Sequence, residues 1–342
     1  MMTWKRMAIW KRMVFSIVAI VVLRYQIRYL NNLNNQITVN NETLGQLSFT
    51  RHKEWYAAAD AVDKINRQNH HDASIILISS LIPSHPSIHM INSTIHSIHQ
   101  YITNLPMHIP IYIVVDGLTP EQKQANASNA QRHRRYQNNL QQAISSNQTF
   151  LPFTNVTVTV LQEHHHVAGS IHQLLISNVD TEFVYILQHD LPFCHNPKRP
   201  NYQWIHHTRL IQAMKKQPGV LYNVRFRHNN GKRTLHSYCP ELLLGANDIN
   251  TTTTNDNSSD FQIHGLDFFA TASWSDQNHL STKSYYLKLL QHIEAHSKLR
   301  HLKQFPEAPM MKIAREDCVH WGQQIYGQRG RWIQPHVSHL DG

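Results

Sequence analysis

Charged side chains are scarce in this 342-residue chain, at 16%, and acids are the scarcer kind, 22 against 32 Lys and Arg. Cysteine is scarcer still: Cys194, Cys239 and Cys318 are all there are. Three cysteines allow at most one intramolecular disulfide and leave one thiol, which excludes a disulfide-stapled scaffold. No CxxC pair and no finger-like His/Cys spacing occurs, so a structural zinc site is not expected. Internal repeats are absent as well. Nor is there a full-length apolar span near the N-terminus, where MVFSIVAIVVL (Met13–Leu23) has eleven residues and a bilayer core takes about 20.

Asn, Gln, Ser, Thr and His fill the deficit of charge, and 41% hydrophobic residues suffice for a sizeable core. The net charge of +10 reads as a nucleic-acid signal until it is mapped. Lys5, Arg6, Lys11, Arg12, Arg24 and Arg28 all precede the first acid, Glu42, and leave +4 for the rest of the chain. Nucleic-acid binders concentrate charge in the folded part, so no nucleic-acid partner is expected. Here the cations flank the apolar run, where they act as a topology signal. Tyr25, Ile27, Tyr29 and Leu30 extend the run, and Arg24 and Arg28 can snorkel to the interface.

The resulting expectation is a cytosolic tail over 1–12, a transmembrane signal-anchor over 13–30, a polar stem over 31–70 and one large domain over 71–342. A cleaved signal peptide competes, because its apolar region has about 7–15 residues, but no small-x-small cleavage site follows. A buried helix is the third reading. The first two send the bulk of the chain to the lumen of the ER or Golgi, the first of them as a single-pass type II protein. Seven N-x-S/T sequons agree: Asn41, Asn92, Asn126, Asn147, Asn155, Asn250 and Asn257.

From Ala73 the texture changes. SIILISSLI (74–82) and IPIYIVVDG (109–117) are β-branched apolar runs, as expected of strands buried on both faces. VTVTVLQE (156–163) and FVYILQHD (183–190) are read simply as a third and a fourth strand. Between the first two, Ile88, Ile91, Ile95, Ile98 and Ile102 recur at helical spacing. A polar stretch over 120–146 and GSIHQLLISNV (169–179) supply two more helices. Strands alternating with helices predict an α/β domain of three layers, α/β/α, around a mainly parallel sheet. Ligands collect at the carboxyl ends of such strands. Those ends carry Ser79–Ser80, Asp116, the His164–His166 triplet and Asp190. Further on, helices over 204–216 and 282–300 and a strand over 219–227 are predicted. NDINTTTTNDNSSD (247–260) reads as an exposed polar loop.

The order and these residues resemble the nucleotide-diphospho-sugar glycosyltransferases of the GT-A fold, of the family-2-like kind. The likeness is carried by IILISS, by IYIVVDG with Asp116, by HHHVAGS and by YILQHD. It implies a nucleotide-sugar donor held by Ser79, Asp116, Gly169, Gln188 and His189. It also implies a divalent cation, Mn²⁺ or Mg²⁺, on Asp190, offsetting charge on the departing diphosphate. The family's Asp-x-Asp is degenerate here, with Gln188 at the first acidic position. One carboxylate holds a cation less tightly than two, so the diphosphate would supply more of the coordination. A C-terminal histidine, His336 or His339, is a further ligand the resemblance suggests.

A base for the acceptor hydroxyl is expected C-terminal to the motif, and three residues qualify. Asp276 sits in WSDQNHL, which reads as an aromatic-polar cluster able to stack a sugar. Glu307 precedes a helix, and Asp317 follows Glu316 in an acidic pair. Transfer to a glycan or glycoprotein acceptor is thus the leading function. Binding a nucleotide-sugar or glycan without turnover is the second. A His-rich, membrane-tethered metal-binding protein is a third, since 27 histidines invite it. The triplet's adjacent rings point apart, which favours an exposed polar loop there.

Overall fold

The computed structural model describes residues 72–82, 85–125, 127–146, 149–194, 204–228, 239, 260–296, 306–327, 336–338 and 340. These belong to one compact unit, His70–Gly342. The expected tail, anchor and stem lie outside the described residues. So does the loop 247–259. No helix among the described residues is long and apolar enough to cross a membrane.

The predicted alternation is present. Its elements are β1 (Ala73–Ser79), α1 (His89–Tyr101), β2 (Ile102–Thr103), β3 (Ile111–Val115), α2 (Pro120–Ala125), α3 (Ala127–Ser145), β4 (Val156–Val160), α4 (His166–Ser177) and β5 (Phe183–Gln188). All seven β1 residues are buried. Next come β6 (Phe193–Cys194), β7 (Ile205–His206), α5 (His207–Lys216), β8 (Asn223–Arg225) and β9 (Arg227–His228). Then follow β10 (Asp260–Ile263), β11 (Leu266–Thr271), β12 (His279–Thr282), α6 (Lys283–His296), α7 (Glu307–Glu316), α8 (Cys318–Trp321), β13 (Gln323–Tyr326) and β14 (His336–Val337).

One sheet of nine strands organises these, in the order β10-β11-β13-β8-β12-β5-β1-β3-β4. Strands β5, β1, β3 and β4 are parallel neighbours. The chain moves outward from β1 to β3 to β4, then crosses back to β5 on the other side of β1. Right-handed crossovers put α1 and α3 on one face of the sheet and α4 on the other, which makes three layers. This fits the GT-A-like architecture the sequence implied. The expectation of a mainly parallel sheet needs correcting in its second half. There β12 runs antiparallel to both β5 and β8, and β11 antiparallel to both β10 and β13.

Two element ends differ from the prediction for local reasons. α5 begins at His207, because Ile205 and His206 are extended and pair with Ile102 and Thr103. α4 begins at His166, three residues before Gly169, because the amides that open it have a side-chain acceptor, described below. Cys239 and Cys318 form a disulfide, and Cys194 is the remaining thiol.

Candidate active-site cleft

The strand order reverses at β1, and that is where a cleft opens, with a volume of about 360 Å³. Its walls are the segments that leave the carboxyl ends of the parallel strands. Ser80, Leu81 and Ile82 follow β1; Asp116 and Gly117 follow β3; His164, His166 and Val167 follow β4; Gln188, His189 and Asp190 close β5. A crevice outside the strand ends at a switch point is where α/β sheets take ligands.

Asp116 is the hub of this wall and is only 2% exposed. Its Oδ1 accepts the backbone N–H groups of Gly117 (2.9 Å) and His165 (2.7 Å), and its Oδ2 accepts that of His166 (2.9 Å). The His164 ring adds Nδ1 at 2.7 Å from Oδ2. A carboxylate has about four lone-pair directions, so all of Asp116's capacity is engaged within the chain. That corrects the expectation of a direct nucleotide contact: Asp116 instead seats the N-terminus of α4, where donors lack intrahelical partners. The same contacts explain the early start of α4.

Gly117 allows the β3 and β4 ends to meet, because a Cβ there would collide with the Glu163 carbonyl group. We expect Gly117→Ala to destabilise the fold by about 1–3 kcal/mol, read as a lower denaturation midpoint; an unchanged midpoint would show the two loops to be loosely joined. Gly169, by contrast, is buried in the first turn of α4 and does not line the cleft. Ser79 is also corrected. It is fully buried, its Oγ lies 2.7 Å from the Tyr136 hydroxyl, and Ser80 faces the cleft in its place.

At the other wall, His189 is 6% exposed, and its Nδ1 lies 3.1 Å from the Ile78 carbonyl oxygen. Gln188 lines the cleft, but its side chain is committed to the chain itself. Its Nε2 donates to the Asp276 carbonyl (3.1 Å), and its backbone N–H donates to Asn278 Oδ1 (3.0 Å). Asn278 in turn donates to the Leu191 carbonyl at 2.7 Å. The residue standing where the family has an acid therefore docks the 275–278 loop onto the end of β5.

That docking puts Asp276 within electrostatic reach of Asp190. Asp276 is 9% exposed, and its pKa is pushed up to about 7. Burial is the largest cause; the Glu307 charge, a hydrogen bond to Glu307 and the Asp190 charge add to it, against an opposing backbone hydrogen bond. Arg225 is 6% exposed and within electrostatic reach of Glu307 and Asp276, and burial lowers its pKa to about 10. Arg225 carried no signal in the sequence beyond being a charged residue in a short apolar strand.

The raised pKa of Asp276 has a signed consequence. Between about pH 4 and 7 the folded chain keeps a proton that the unfolded chain has lost. Stability should therefore fall as pH rises through that window, by up to about 1.4 kcal/mol per unit. Urea denaturation across the window should show this slope in the native sequence and a flatter one in Asp276→Asn.

The other sequence candidates are placed differently. Glu307 opens α7 and is exposed. Asp317 caps α8, accepting from the His320 N–H at 3.3 Å and pairing with its ring at 2.9 Å. Neither Asp317 nor Asp276 lines the cleft. Asp276 is within electrostatic reach of Asp190, whereas Asp317 is not among the charges acting on Asp276, so Asp276 is the better placed of the two. Trp274, expected to stack a sugar, is fully buried. The C-terminal segment does return to the motif: Leu340 N–H donates to the Asp190 carbonyl at 3.0 Å, and His336 pairs with Cys194. His339 lies outside the described residues. Among the described residues no group of three or more His, Cys, Asp or Glu is placed to hold a metal ion.

No protein-family model matches the chain, and no curated protein matches it. Among solved structures it aligns with S. aureus TarS 1–349 at 11% identity and TM-score 0.37, over 79% of this chain and 60% of that chain. It aligns with GalNAc-T7, solved with UDP, GalNAc and Mn²⁺, at 10% identity and TM-score 0.44, over 79% and 44%. The mannosyltransferase PcManGT from Pyrobaculum calidifontis, solved with GDP-Man and Mn²⁺, aligns at 12% identity and TM-score 0.32, over 64% and 47%. The chain thus spans 60% of the TarS 1–349 chain and less of the other two. These neighbours are nucleotide-sugar glycosyltransferases. At such identities and TM-scores the alignments carry no weight for activity, which rests on the chain's own cleft.

Proposed function

We propose that the chain is a glycosyltransferase that moves a sugar from a nucleoside-diphosphate donor onto a glycan or glycoprotein acceptor. One observation carries the reading: the switch-point cleft ends at Asp190, and the Asp190 charge acts on a buried acid, Asp276, whose pKa is held near neutrality. A carboxylate that titrates near the working pH suits a general base. In the step itself, the acceptor oxygen bonds to the anomeric carbon. The bond from that carbon to the diphosphate breaks, its electron pair leaves with the diphosphate, and the acceptor proton passes to Asp276. Glu307 shares that proton, and Arg225 keeps the pair from repelling itself apart.

Mn²⁺ or Mg²⁺ belongs to the proposal only through the diphosphate, because the described side chains do not complete a site. The decisive experiment is release of nucleoside diphosphate from UDP- and GDP-sugars, with and without added Mn²⁺. Release that rises as pH passes about 7 is the expected result; no release from any donor would defeat the transferase reading. Donor binding without release would instead establish the second reading, a binding protein, which Gln188's commitment to the 275–278 loop favours.

We further propose that this activity resides in the secretory lumen, behind the 13–30 anchor. The flanking cations and the Cys239–Cys318 disulfide support that placement. Of the two sequons among the described residues, Asn155, exposed just before β4, is then the one placed for a glycan. Asn92 is not, because it lies inside α1 with a buried side-chain oxygen. Loss of one glycosidase-sensitive mass step in Asn155→Gln would agree.

A further inference from the structure

A nucleotide in the cleft still has to be chosen by its base, and the wall that would meet it has one ring in a fixed state. His164 lines the cleft, with Nδ1 at 2.9 Å from the Gly117 carbonyl oxygen and 2.7 Å from Asp116 Oδ2. Both neighbours only accept hydrogen bonds, so in the uncharged ring the hydrogen sits on Nδ1. The opposite nitrogen, Nε2, is then an acceptor.

Nothing nearby allows the ring to exchange its two nitrogens cheaply. Asp116 is anchored by three backbone N–H groups from Gly117, His165 and His166, so it cannot turn to follow. The His166 backbone is in the left-handed region, with φ of 56°, and its ring stands edge-on to that of His164 at a centroid distance of 4.0 Å. The triplet that reads as a polar loop is in fact a braced ring held against a buried carboxylate.

A fixed acceptor selects a donor. We propose that His164 Nε2 accepts the imino N–H on the pairing edge of the donor's base, so that the cleft takes uridine or guanosine diphosphates and rejects cytidine and adenosine diphosphates. Uracil and guanine carry a hydrogen on that ring nitrogen, whereas cytosine and adenine present a lone pair there. Two lone pairs facing each other leave His164 without a partner, and a site built around one such hydrogen bond discriminates by roughly 10- to 100-fold. This inference rests on the nucleotide-sugar reading of the cleft.

Titration calorimetry on the full chain, at about pH 8, where histidine rings as a class are uncharged, tests it with UDP, GDP, CDP and ADP. UDP or GDP should bind at least about tenfold more tightly than CDP and ADP. His164→Ala and His164→Asn should each erase that preference while leaving weak binding of all four. Equal binding of the four by the native chain would overturn the proposal and leave the nucleotide reading standing. So would a preference that survives in both variants. Equal binding of the four together with a large loss for 2′-deoxy-UDP would assign His164 to the ribose and overturn it too. Failure to bind any of the four would remove the nucleotide reading itself.

Discussion

Replacing Asp190 by Asn should lower turnover of the nucleotide-sugar by about a hundredfold or more while leaving the protein folded. Two acids line the cleft, and Asp116 has every oxygen engaged with backbone amides and His164. Asp190 is the other, and its charge is also felt by Asp276. It is therefore the carboxylate shared by the donor cleft and the acid pair. The hydrogen bond from the Leu340 N–H goes to its backbone carbonyl and survives a side-chain change. Turnover within about threefold of the native value would remove Asp190 from the chemistry.

Arg225→Leu should have the largest effect on stability, about 3–5 kcal/mol, because it leaves acids beside a buried position without their cation. Removing a positive charge makes protonation of Asp276 easier still, so its pKa should climb beyond the present value of about 7. The damage should therefore be severe at about pH 8 and smaller at about pH 5, where the neutral carboxyl needs no counter-charge. Denaturant midpoints at the two values distinguish this from simple loss of packing, which has no such slope. Combining Arg225→Leu with Asp276→Asn should restore part of the loss, and strict additivity of the two would mean that they do not interact.

How far these expectations were legible in the sequence depends on how local each interaction is. Three of the four parallel strands announce themselves, since a strand covered on both faces must be apolar at nearly every position, as IILIS, IYIVV and FVYIL are, whereas β4 (VTVTV) lies at the sheet edge and alternates. Asp190 was legible for the same reason, as the first charge after such a run. Its neighbours were not. Gln188 looked like a ligand position whose acid was lost, yet its partner is the Asp276 carbonyl, 88 residues on. Arg225 and Asp276 meet only because β12 carries the 275–278 loop in beside β8. Trp274 in WSDQNHL has the composition of a sugar platform and the burial of a core residue. Composition does not separate these; only the third dimension does. Asp116 shows the reverse case, a residue found by its pattern whose oxygens turn out to hold the fold.

The place of β12 also sets an order of events. The cleft's walls come from 78–190, a continuous stretch of sequence, and they can assemble as that part of the chain emerges. The proposed base cannot. It waits for β12, made about ninety residues after β5, to enter the sheet between β5 and β8. During synthesis the chain should thus gain its nucleotide cleft first and its acid pair later, so that an incompletely made or misfolded chain binds a donor before it is able to use one.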